Sequence, residues 1–153
     1  MTAPADDFDP DTGAVVTGPE PLTDEELAYL ASLFDLARDG STEPLVTAVR
    51  AGVPVNLTNA GGDTLLVLAA YHVHPETVRA LLDLGADTER VNDRGQTALG
   101  AAVFRQSVES VQALLAAGAD PYGGGRSAVD VATFFELPQM LALLAGDRDT
   151  LGG

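Results

Sequence analysis

The side chains best suited to chemistry lie together at Tyr71-His72-Val73-His74, with Glu76 just beyond. Two imidazoles, a phenol and a carboxylate in six residues could bind a metal ion or move a proton. A zinc site needs three or four fixed ligands, however, and the chain has only two histidines and no cysteine. The pair is therefore expected to be structural, with no metal site. The run Gly123-Gly124-Gly125 is the other candidate, as a phosphate cradle. No strand-like segment precedes it and no Lys follows, so it reads as a tight turn. No nucleophile elbow and no paired-carboxylate catalytic motif is recognisable. The chain is expected to be non-enzymatic and to need no cofactor.

A second set of residues points to binding instead. Tyr71, Phe104 and Phe134 are spaced by 33 and then 30 residues, with His72, Arg105 and Phe135 beside them. Aromatic rings alternating with Arg are typical of the anchor points of protein interfaces. The same spacing also suits rings that pack between neighbouring helices, and the sequence leaves both readings open.

That spacing belongs to a larger pattern. Gly52, Gly85 and Gly118 are 33 residues apart, as are Glu43, Glu76 and Glu109, and as are Val49, Leu82 and Leu115. Thr64 and Thr97 keep the same step. Several residue types held in register at this period mark stacked repeats of one small unit. Within each unit the apolar residues recur at helical spacing, which predicts pairs of short helices. The first pair starts at Thr23, where Thr23 and Glu26 can form a reciprocal capping box, and continues through Glu43–Ala51. Later helices are expected at Thr64–His72, Pro75–Leu84, Thr97–Arg105 and Val108–Ala117. Gly52, Gly85 and Gly118 stop the second helices. Leu45, Val78, Leu81, Leu82, Leu114 and Leu115 are expected to face inward. Beyond Asp120 the connecting loop loses three residues and the step becomes 30, as in Thr97 to Ser127.

The composition narrows the possible partners. The net charge is −15, and residues 1–26 hold eight of the 23 acids and no Arg. Without a basic footprint, nucleic acid is not an expected partner. No apolar run approaches the ~20 residues of a membrane span and no secretory signal is visible, so a cytoplasmic location away from membranes is expected. Four prolines and the acidic excess make residues 1–22 an expected disordered tail.

The repeat resembles the ankyrin family. Gly62-Asp63-Thr64, Leu66, Ala69-Ala70, His74-Pro75-Glu76, Val78, Leu81-Leu82 and Gly85-Ala86-Asp87 follow its motif. Asp93-Arg94-Gly95-Gln96-Thr97, Leu99, Ala102, Glu109-Ser110-Val111, Leu114-Leu115 and Gly118-Ala119-Asp120 repeat it. Leu65, Ala98 and Ala128 stand where the family has proline, and Val67, Gly100 and Asp130 where it has histidine. The resemblance implies an all-α ankyrin-repeat solenoid of about four helix-loop-helix units with β-hairpin-like loops. The repeat domain would occupy residues 23–145, in units of about 23–55, 56–88, 89–121 and 122–145, with a frayed end over 146–153. It also places His74 at a turn position where the family has histidine for structural reasons.

For function, the resemblance implies a monomeric, non-catalytic module that holds a protein partner on its concave face and loop tips. Carried over by position, that surface comprises Tyr71, His72, Arg94, Gln96, Phe104, Arg105, Arg126 and Phe134. Two alternatives stand beside it. One is an acidic inhibitor or immunity-type protein that blocks a basic, nucleic-acid-binding site. The other is an accessory protein of a redox enzyme such as catalase.

Overall fold

The computed structural model describes residues 22–146, so the expected disorder of residues 1–21 and the expected fraying beyond 146 lie outside the described residues. The chain divides into two compact units, residues 1–30 and 31–153. In the first, the expected capping box is formed. The Thr23 amide donates to Glu26 Oε1 at 2.9 Å, and the Glu26 amide donates to Thr23 Oγ1 at 3.0 Å. This starts helix α1, Asp24–Asp39, whose Leu27 is exposed rather than inward-facing.

The second unit is built from helix pairs. The described residues contain α1 with α2 (Thr42–Arg50), α3 (Leu65–Tyr71) with α4 (Pro75–Asp83), and α5 (Ala98–Phe104) with α6 (Val108–Ala116). The last pair is α7 (Ala128–Phe134) with α8 (Pro138–Leu141), which continues into a π-helical turn, Ala142–Gly146. The first helices α3, α5 and α7 stack side by side, and the second helices α2, α4 and α6 form a parallel row behind them. The result is an all-α solenoid. The loops carry two isolated bridges rather than strands: Thr58 with Thr64, antiparallel, and Gln96 with Arg126, parallel.

Local chemistry fixes the starts of α3, α5 and α7 at the same register. Thr64, Thr97 and Ser127 are N-caps whose hydroxyl oxygens accept from the amides of Val67, Gly100 and Asp130 at 3.0–3.1 Å. Each cap satisfies one of the amides that a helix start leaves without a partner. The second helices end on Gly52, Gly85 and Gly118, all with positive φ. At Gly85 the following Ala86 amide reaches back to the Leu81 carbonyl at 3.0 Å, which closes the helix.

Burial is deepest in the middle of the stack. In α3 the six residues Leu65–Ala70 are all buried, and in α5 so are the six residues Ala98–Val103. A helix buried on every side must be apolar all round, and these two are. The backbone before Ser127 passes close over α5: a Cβ on Gly100 would lie 3.3 Å from the Arg126 carbonyl oxygen, a tight contact. The second helices bury one stripe only. Val78, Leu81, Val111 and Leu114 are fully buried, whereas Leu82 and Leu115, expected to face inward with them, are only half-buried. They sit on the flank of the stripe, where no neighbouring helix covers the outer side.

One turn departs from the usual economy of the fold. Gly40, Val73, Gln106 and Glu136 occupy equivalent places between first and second helices, and all have φ between 54° and 77°. Only the first is glycine, and it has to be, because a Cβ there would meet the His74 ring nitrogen Nδ1 at 2.5 Å. At the other three places a side chain is held in the left-handed region, which costs about 1–2 kcal/mol per residue and is least suited to a β-branched residue such as Val73.

Two stability outcomes follow from this packing. Leu81→Ala or Leu114→Ala is expected to cost about 2–5 kcal/mol, and Leu82→Ala clearly less. Equal losses of urea midpoint for Leu81 and Leu82 would contradict the one-stripe arrangement. Val73→Gly is expected to raise the urea midpoint, the unfolding free energy gaining up to about 1 kcal/mol once the greater freedom of glycine in the unfolded chain is subtracted. An unchanged or lower midpoint would show that the Val73 backbone is not strained.

Candidate protein-binding surface

The central first helices expose almost nothing along their length, so the residues offered to solvent lie at the two ends of each helix. This divides the expected site residues into two groups, set apart by a seven-residue helix of roughly 10 Å.

One group lies on the loop side. Asn92 is buried and forms its centre. Its side-chain oxygen accepts from the amides of Arg94 at 2.9 Å and Gln96 at 3.0 Å. Its side-chain nitrogen donates to Asp63 Oδ1 at 2.8 Å and Gln96 Oε1 at 3.0 Å. Asn59, one repeat earlier, makes the same turn by accepting from Gly61 and Asp63, both at 2.9 Å. The loops are tied to each other by the Asp93 amide on the Gly61 carbonyl and the Arg126 amide on the Gly95 carbonyl, each at 3.0 Å. Gln96 is thus partly committed to the turn. The Arg94 guanidinium leans on Gln96 Oε1 at 3.3–3.4 Å and stays largely exposed. Arg126 is exposed beside it in sequence register. Asn92 and Asp63 are the structural residues here.

The other group lies at the C-terminal ends of the first helices. The Tyr71 and Phe104 rings are stacked, 6.1 Å apart and 8° from parallel. The Phe104 ring then meets Phe135 edge-on at 5.3 Å, and Phe135 meets Phe134 edge-on at 4.8 Å. The row therefore runs Tyr71, Phe104, Phe135. Phe134, expected by spacing to continue it, branches from its end and is 78% exposed. Phe135 occupies the C-cap position held by His72 and Arg105 in the preceding repeats, and its ring meets Phe104. The rings pack between repeats, as one reading of the spacing expects, and Phe104, Phe134 and Phe135 remain exposed.

Arg105 locks the row. Its Nη1 donates to the Tyr71 carbonyl at 2.9 Å, and its guanidinium carbon stands 5.2 Å from the Tyr71 ring centroid. The contact joins two repeats through a hydrogen bond and a cation–π interaction. His72 is exposed and meets Tyr71 edge-on at 5.2 Å.

The two histidines have different duties. His74 caps α4, and its Nε2 lies 2.7 Å from the Arg38 carbonyl oxygen. A carbonyl can only accept, so Nε2 carries the proton and is not free to bind a metal. His74 is a tie between repeats. Among the described residues, no group of three or more His, Cys, Asp or Glu could hold a metal ion. The His72 imidazole is pushed below its ordinary value of 6.5 by partial burial first, and then by Arg38, His74 and Arg105, with Asp39 opposing.

That shift has a sign that can be checked. A lowered folded value means that the unfolded chain holds the His72 proton more tightly. Stability is therefore intact above pH 6.5 and falls as pH drops from there through the lower folded value. In an NMR titration the His72 ring protons are expected to show a midpoint below that of a free imidazole. Arg105→Gln should move it part of the way back. A midpoint at or above the free value would contradict the placement of Arg38 and Arg105 around it.

Comparison with known proteins agrees with this geometry. The family model described as ankyrin repeats (3 copies) matches residues 33–123. A curated ankyrin repeat protein of Pseudomonas aeruginosa is 47% identical over 62 residues, which are 40% of this chain and 36% of that protein. The chain thus spans about a third of the length of that relative. The crystal structure of the human ASB11 ankyrin repeat domain superposes with a TM-score of 0.67 at 27% identity, over 75% of this chain and 53% of that one. With the family model covering more than half of the chain, and with helix pairs, caps and loop ties recurring in register, the chain belongs to the ankyrin repeat family.

Proposed function

We propose that this protein is a non-catalytic, monomeric scaffold whose repeat region, residues 23–145, holds a protein partner. Ankyrin repeats generally serve as protein–protein interaction modules. The observation that carries the proposal for this chain is the aromatic row Tyr71–Phe104–Phe135, pinned by Arg105 and ending in the exposed Phe134. Rigid rings backed by a fixed guanidinium lose little freedom on binding, and such groups supply much of the energy of known interfaces. On the loop side, Arg94, Gln96 and Arg126 form the second half of the contact surface. His72 lies next to the row, edge-on to Tyr71. A cytoplasmic location fits this role, and no helix of the described residues is long and apolar enough to cross a membrane.

A competing reading, an acidic blocker of a basic site, draws on the net charge of −15. Salt separates the two. Binding dominated by net charge collapses between low and moderate ionic strength, because the screening length falls to ~10 Å at 0.1 M. Binding centred on the rings weakens only modestly.

Affinity capture from the native cell, compared between the parent and the Phe104→Ala and Arg105→Ala variants, tests the surface. Each variant is expected to lose most of the captured partner while keeping its helical circular dichroism. Undiminished capture by both would set this surface aside.

A further inference from the structure

We propose that the end of the ring row takes an acidic protein segment, one that lays an apolar side chain across Phe104, Phe134 and Phe135 and sets a carboxylate against the Arg105 guanidinium. This rests on the protein-binding reading above and gives the partner its chemistry.

The geometry supplies the two halves of such a site side by side. In the interior of the stack each ring is covered by the ring of the next repeat, Tyr71 by Phe104 and Phe104 by Phe135. The last pair has no successor among the described residues. Phe134 is left 78% exposed and Phe135 49% exposed, next to Phe104 at 39%. Three neighbouring exposed rings form a patch that water wets poorly and that an apolar side chain can cover.

The charge beside the rings is positive in a chain that is otherwise strongly acidic. Arg38 and Arg105 both act on His72 at this end of the helices, with Asp39 opposing them, and the imidazole, pushed below its ordinary value, adds no charge of its own at neutral pH. Arg38 is already occupied by Asp35, at 2.8 Å. Among the described residues no ion pair engages Arg105, which spends one N–H on the Tyr71 carbonyl and keeps the others. A guanidinium held in place with donors to spare is suited to a carboxylate.

The net charge of −15 limits how acidic the segment can be. At physiological salt, charges more than about 8 Å apart are largely screened. A short segment with one or two carboxylates near Arg105 therefore feels mainly that cation. A nucleic acid or an anionic membrane, which spreads charge over many such lengths, meets the acids of the rest of the surface.

The test uses the full chain and two labelled synthetic peptides that differ only in charge, one with an Asp-Phe-Leu-Asp core and one with Lys-Phe-Leu-Lys, followed by fluorescence anisotropy. The acidic peptide is expected to bind and the basic one not. Arg105→Gln should weaken acidic-peptide binding about tenfold or more, as the loss of a charge-assisted hydrogen bond does. Phe104→Leu, which keeps apolar volume in the fold, should also weaken it, and Arg90→Gln, away from the row, should leave it unchanged. Equal or tighter binding of the lysine peptide overturns the proposal, as does acidic-peptide binding indifferent to Arg105→Gln. If neither peptide binds while Phe104→Ala still abolishes capture of the cellular partner, this inference falls and the binding surface stands. If capture is also indifferent to Phe104→Ala, both fall. The chain itself contains Asp6-Asp7-Phe8-Asp9. Tighter peptide binding after Asp6, Asp7 and Asp9 are changed to Asn would make that segment the occupant and overturn a separate partner. Self-association lost in Phe134→Ala would do the same in favour of a second copy.

Discussion

Each helix pair in this protein has an apolar face that it cannot bury by itself. A pair of short helices, seven residues in α3 and nine in α4, has no interior of its own. Only a neighbour on each side can remove Leu65–Ala70 or Ala98–Val103 from water, and that requirement dictates the layered arrangement. It also dictates the small side chains. Ala98, Gly100, Ala101 and Ala102 let α5 sit between α3 and α7 with backbone close to backbone.

Polar groups then set the register in which these apolar layers meet. Apolar burial is not directional, so it alone would tolerate a slip between repeats. The ties that forbid slipping are hydrogen bonds between consecutive units: His74 to the Arg38 carbonyl, Asn92 to Asp63, the Arg126 amide to the Gly95 carbonyl and Arg105 to the Tyr71 carbonyl. Thr42 and Thr77 add a hydroxyl pair at 2.7 Å behind them. The equivalent of Thr77 in the next repeat, Ser110, is fully buried and has no partner for its hydroxyl. The ties are thus distributed unevenly and concentrate at the helix ends.

The proposed binding surface grows out of the same constraint. Because the middles of α3 and α5 are consumed by stacking, the exposed rings are held at the C-terminal ends of the first helices. Tyr71, Phe104 and Phe135 lie there, supported from behind by the stack and clamped by Arg105. The turn that follows carries the left-handed residues Val73, Gln106 and Glu136, so backbone strain lies directly beside the exposed rings. The strain is tolerated because each turn is closed by amides returning to the preceding helix, as the His74 amide does to the Ala69 carbonyl at 2.9 Å.

The sequence by itself determined the repeat, the helix starts at Thr23, Thr64, Thr97 and Ser127, and the second-helix stops at Gly52, Gly85 and Gly118. These are local decisions, made by a cap hydroxyl or by a missing Cβ within a few residues of chain, and a 33-residue step makes them visible three or four times. It also placed Tyr71, Phe104 and Arg105 at one end of their helices. Only the tertiary structure decided that Phe135 rather than Phe134 joins the row, that Leu81 rather than Leu82 lies at the centre of the core, and that Asn92 ties two loops together. Periodicity tells which residues are equivalent. It does not tell which flank of a stripe is buried, nor which of two adjacent rings meets Phe104, because both depend on contacts some thirty residues distant along the chain.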